Sequence, residues 1–138
     1  MIRLEHIRGP VLAAALWFAC ALLSLRLEAA TDAKLLIWIP SAIAVASLYA
    51  TPERRWPLVV AALGVAQVAI GLIAVGSLAM AAGFALANTI EAVICAGLGV
   101  KVLGGRGRGP QSFTDIVSLF AIAVTGCAAG ALIALPFR

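Results

Sequence analysis

Histidine, cysteine and carboxylate are all scarce in this chain, and each scarcity removes a class of chemistry. Of its 138 residues, one is histidine, three are cysteine and six are acidic. His6 has no companion for a metal site, which wants several clustered N, S or O donors. Cys20, Cys95 and Cys127 are odd in number, lack Cys-x-x-Cys spacing and fall inside apolar runs, where a thiol acts as a small filler. Neither a disulfide nor a metal is expected of them. Five carboxylates, Glu5, Glu28, Asp32, Glu53 and Asp115, lie in flanks or loops. Paired acids, a Ser/His/Asp set or a glycine-rich phosphate loop therefore cannot be assembled. The chain does not read as an enzyme, and no catalytic, cofactor or metal residue is assigned.

Charge is scarce as well: 12% of residues are charged against 64% hydrophobic, with mean hydropathy +1.12. A soluble domain of this length has no interior large enough for so much apolar surface. Crossing a bilayer takes roughly 20 apolar residues per helix, and five runs qualify as candidates, at about 10–28, 35–50, 57–75, 78–102 and 116–135. They are continuous and rich in alanine and leucine, not alternating, which favours helices over barrel strands. The expected fold is all-α: a polytopic transmembrane helical bundle forming a single membrane-embedded domain, with the lipid bilayer as its first partner. The second run contains Pro40. Either a helix begins there, with Trp38 as an interfacial anchor, or the segment is broken and its backbone lines a cavity.

Lysine and arginine set orientation. With the N-terminus cytoplasmic, Arg3, Arg8, Arg54, Arg55, Lys101, Arg106 and Arg108 fall inside, and Arg26, Lys34 and Arg138 outside. The net charge of +4 is thus spread over short loops and calls for no nucleic acid. The basic start before the first run resembles a signal peptide, but the later runs already commit the chain to the membrane, so a retained anchor is the simpler reading. Residues 104–109, Gly-Gly-Arg-Gly-Arg-Gly, read as a flexible basic linker.

The sixth carboxylate stands apart. Glu91 lies mid-run in 78–102, accompanied there by Asn88 and Thr89 as strongly polar groups. On a helix, Asn88 and Glu91 project from nearly the same face. A carboxylate at the bilayer centre is penalised by about 2.5–3.5 kcal/mol on insertion scales and tends to face the bundle interior. Asn88, Thr89 and Glu91 are therefore the candidate polar core or ligand site. Gly126 and Gly130, with Cys127-Ala128-Ala129 between them, form a small-xxx-small face for close helix packing, internal to the bundle or as the seam of an oligomer.

Further signals lie in order along the chain: Trp38, Pro40, Ser41, Ile43 and Ala44; Arg54, Arg55, Trp56 and Pro57; Asn88, Thr89, Glu91 and Ala92; Phe113 and Asp115. Taken in succession they resemble the type-one MASE family, the membrane-associated sensor domain that precedes bacterial diguanylate cyclases, phosphodiesterases and histidine kinases. Ala42 and Ala87 stand where the family often has glycine. The family's domain is about twice as long, so the resemblance makes this chain the N-terminal half of such a domain, incomplete at its C-terminus. It implies a bacterial inner-membrane sensor that binds a signal or partner and passes a conformational bias to a cytoplasmic diguanylate cyclase or histidine kinase. Two other readings stand beside it: a small transporter or transporter subunit using Glu91 as a proton or cation site, and a truncated fragment without activity of its own.

Overall fold

The computed structural model describes residues 5–31, 39–106 and 108–137, with no side-chain detail at 5, 6 and 31. The described residues form five α-helices: α1 (Glu5–Thr31), α2 (Ile39–Ala50), α3 (Trp56–Val75), α4 (Leu78–Val102) and α5 (Phe113–Ala134). Short 3-10 turns at Glu53–Arg55 and Leu135–Phe137 flank α3 and α5. The chain is an all-α bundle, and four of its helices, α1, α3, α4 and α5, are long and apolar enough to cross a membrane. Their outer faces carry large apolar side chains such as Leu12, Val65, Leu86 and Phe120, all at least half exposed. Helices apolar all round belong in lipid.

In the second run the described residues hold α2, 12 residues long, and Pro40 is the second of them. Residues 35–38, including Trp38, lie outside the described residues, as do Arg3, Lys34 and Arg138 of the orientation argument.

Helix boundaries follow local chemistry. At the end of α3, Gly76 takes φ +67°, and its N–H closes on the Leu72 carbonyl at 3.0 Å. Glycine is the residue that enters this left-handed region without strain. Ser77 then caps α4 by accepting from the Met80 N–H. For α5, Ser112 accepts from the Asp115 N–H at 3.1 Å, while the Asp115 carboxylate accepts from the Ser112 and Gln111 amides at 3.1 and 2.8 Å. This reciprocal capping box fixes where the last helix starts.

Packing centres on α4, which touches α2, α3 and α5, while α1 packs on α2 and α3. Everything α4 buries is small: Ala81, Gly83, Ala85, Ala87, Ala92, Cys95, Ala96 and Gly99. Small side chains let three neighbours approach closely. At the α3 contact, a Cβ on Gly71 would stand 2.8 Å from that of Ala81. Larger groups from the other helices, Trp17, Leu48, Val59 and Leu63, fill the remaining core.

The helix directions alternate. Gly71 meets Ala81 across α3 and α4, Gly126 meets Cys95 across α4 and α5, and Phe137 covers Gly83. Tyr49 faces Gly99, and Ser41 shares clefts with Glu91, so α2 runs parallel to α4. α2 thus leads the chain to the end that bears Arg54, Arg55, Lys101, Arg106 and Arg108.

That end is tied together by residues expected to be a loose linker. The Tyr49 hydroxyl donates to the carbonyls of Gly105 and Arg108 at 2.7 and 2.8 Å. Arg106 reaches the end of α2, where Nη1 donates to the carbonyls of Leu48, Tyr49 and Thr51. Its Nη2 pairs with Glu53 at 2.9 Å, and its guanidinium lies 5.6 Å from the centre of the Trp56 ring. The indole N–H of Trp56 donates to Leu48 and Thr51 carbonyls, both at 2.9 Å. A helix C-terminus leaves its last carbonyls unpaired, and here an arginine and a tryptophan from elsewhere satisfy them. Gly104 and Gly105, both with positive φ, make the turn that brings Arg106 back.

A polar junction between two clefts

Glu91 sits at the contact of α4 and α5, where the two glycines of α5 make room for it. A Cβ at Gly130 would lie 3.1 Å from Glu91 Oε2 and 3.4 Å from Glu91 Cβ. At Gly126 it would fall on Cys95 Sγ and 3.5 Å from Glu91 Cγ. One turn away, the Cys127 thiol donates to Glu91 Oε1 at 3.5 Å, and the Cys95 thiol donates to the Ile122 carbonyl at 3.6 Å. The small-xxx-small face is thus an intramolecular contact built around a carboxylate.

Two clefts meet at this point. The first, about 450 Å³, is lined by Val45, Tyr49, Gly99 and Leu103 among others, and runs from Glu91 toward the Arg106 end. The second, about 630 Å³, is lined by Trp17, Gln67, Gly71, Val75, Phe84 and Asn88 among others, and runs toward the Gly76 turn. Ser41, Glu91 and Cys127 line both. Ser41 belongs to α2, so that helix reaches the carboxylate from the other side of both clefts.

Of the residues singled out in the sequence, Asn88 and Glu91 share the wall of the second cleft without a direct hydrogen bond between them, and Thr89 lines neither cleft. Arg54, Arg55, Trp56 and Pro57 stand at the start of α3, remote from the junction, as boundary and clamp residues.

Gln67 is the residue the sequence reading passed over. It is 4% exposed, lines the second cleft, and its Oε1 is buried without a hydrogen-bond partner among the described residues. An unpaired buried amide oxygen costs about 1–3 kcal/mol. The signal was available, because Gln67 is the one strongly polar side chain between Pro57 and Val75.

No described lysine or arginine lines either cleft. The junction brings together one carboxylate, two amides, a hydroxyl and two thiols, a set that binds and orients. No group of three or more His, Cys, Asp or Glu residues suited to a metal ion occurs among the described residues. Comparison of the chain with protein-family models, with curated proteins and with solved structures finds no match.

Proposed function

We propose that this bundle is a sensory membrane module of the type-one MASE kind, seated in a bacterial inner membrane, in which occupancy or protonation of Glu91 alters how α4 packs on α5. The observation that carries this reading is the seating of Glu91 against Gly126, Gly130 and Cys127. A change of charge there acts on the two helices at once. From Glu91, α4 runs about 16 Å to its C-terminal end, and α5 begins just beyond, so both helices lead to the arginine-clamped loop. With the N-terminus cytoplasmic, that loop faces the compartment of a diguanylate cyclase or histidine kinase.

The test is Glu91→Gln at the native locus, with cyclic-di-GMP and kinase phosphorylation measured in the resulting cells and membranes. The neutral isostere is expected to lock the output high or low and to abolish its response to stimulus. Output and response unchanged in a protein inserted at normal levels would remove Glu91 from signalling and with it this reading.

A second reading draws on the two clefts that leave Glu91 toward opposite ends of the bundle. A carboxylate where two such clefts meet inside a bundle of apolar helices is also a feature of ion-coupled transporters. Proteoliposome uptake that depends on a pH gradient and disappears in Glu91→Gln would favour transport over sensing.

A further inference from the structure

We infer that the cleft between α1, α3 and α4 is a binding site for a small protonated amine, whose ammonium group rests on Glu91 and donates an N–H to Gln67 Oε1. This rests on the reading of Glu91 as the point where a signal is received, and it names the chemistry of that signal. Three features of the wall select the ligand.

Charge comes first. Glu91 is the carboxylate of the cleft, and no described basic side chain shares it. The second feature is donor demand. Gln67 Oε1, enclosed and without a partner among the described residues, gains most from an N–H donor, since an orphaned acceptor recovers its lost desolvation when paired. An ammonium with several N–H groups serves both oxygens, and Asn88 and Ser41 stand on the same wall to take another.

Shape is the third. The cleft holds about 630 Å³, far more than a bare ion fills. A hard cation such as calcium takes about six to eight oxygen ligands, and the side chains here offer oxygens from Ser41, Gln67, Asn88 and Glu91 alone. The remaining wall is apolar, with Ile70, Ala74 and Val75 along one side and the rings of Trp17 and Phe84 on others. Aromatic faces attract cations, and aliphatic ones shelter an alkyl or aryl tail.

The experiment is calorimetric titration of the purified full chain in neutral phosphatidylcholine nanodiscs. The probes are phenethylamine, its alcohol counterpart phenethyl alcohol, and tetraethylammonium. Phenethylamine is expected to bind saturably at one site. The alcohol lacks the charge and tetraethylammonium lacks an N–H, so each should bind at least about tenfold more weakly, the loss that one unmade charged hydrogen bond brings.

Glu91→Gln and, separately, Gln67→Leu should each weaken phenethylamine by about tenfold or more. Helical circular dichroism and monodisperse elution should stay as in the parent protein. If one variant fails to fold, the other decides. Equal binding of the alcohol, equal binding to both folded variants, or no saturable binding of the amine to the folded parent would each overturn the assignment. The cellular output of Glu91→Gln is read independently. A changed output without amine binding defeats the amine assignment and leaves the sensor reading standing. Amine binding without any change of output does the reverse.

Discussion

Gly130 lies directly against the carboxylate of Glu91, with the place a Cβ would occupy only 3.1 Å from Oε2. The glycine on α5 and the acid on α4 are thus one device, since the close backbone approach that a small residue permits also creates the seat for the charged group. Gly126 repeats the arrangement one turn earlier for Cys95.

Replacing Gly130 by alanine therefore forces the carboxylate to move or the helices to part. The expected cost is about 1–3 kcal/mol, typical of overpacking a tight contact, read as a lower midpoint in denaturing-detergent titration. Gly64 supplies the control: nothing lies within 4 Å of its Cβ position, and alanine is the better helix former. Gly64→Ala should be neutral or more stable by up to about 1 kcal/mol. Equal destabilisation by both would mean that Gly130 matters only as a helix residue.

Arg106→Ala removes three donor contacts to the end of α2 together with the pair to Glu53. Charge-assisted hydrogen bonds contribute about 1.5–3 kcal/mol each side of a partly buried contact, so local opening of the loop should become about tenfold or more easier. The readout is trypsin cleavage after Arg108 in detergent. Glu53 is mostly exposed, and an exposed ion pair contributes about 0–1 kcal/mol, so Glu53→Gln should leave the cleavage rate nearly unchanged. Arg106→Lys should not rescue, because a point charge cannot reach several carbonyls as a planar guanidinium does.

Tyr49→Phe isolates the other half of the clamp. The ring stays packed near Gly99, and only the hydroxyl contacts to Gly105 and Arg108 are lost. A loss of about 0.5–1.5 kcal/mol is expected, with faster amide exchange in the turn at Gly104 and Gly105. Unchanged exchange there would show that Arg106 alone holds the loop.

These contacts mark how far the sequence could be read. The bounds of α4 are visible in its letters, because Gly76 and Ser77 punctuate its start and the Gly104-Gly105 pair its end. The depth of Glu91 follows from the same run. The role of Arg106 was illegible: its partners are backbone carbonyls more than fifty positions away, and carbonyls have no sequence signature. Gln67 escaped notice because its run holds no carboxylate to draw attention to it, as Glu91 does to Asn88 and Thr89. Yet a lone amide in an apolar helix is subject to the rule that draws attention to a carboxylate, as both must find partners or a ligand.

The two clefts make a prediction about access that does not depend on the identity of any ligand. In a background with Cys20, Cys95 and Cys127 replaced by alanine, single cysteines at Val45 and Ala74 probe the first and second clefts. A membrane-impermeant cationic thiosulfonate should label position 45 only from the face bearing Arg106, and position 74 only from the opposite face, in vesicles of defined orientation. The thiol at Val65, which points away from the core on α3, should react from neither side because lipid covers it. Charge selectivity provides the internal check. If Glu91 sets the potential of both clefts, Glu91→Gln should slow labelling by the cationic reagent at both positions by about two- to tenfold, while an anionic reagent of similar size should gain, since a single charge in a low-dielectric cleft shifts local ion concentration by such a factor. Labelling of both positions from one face would mean that the clefts form a single vestibule, and the transport reading would lose the observation on which it rests.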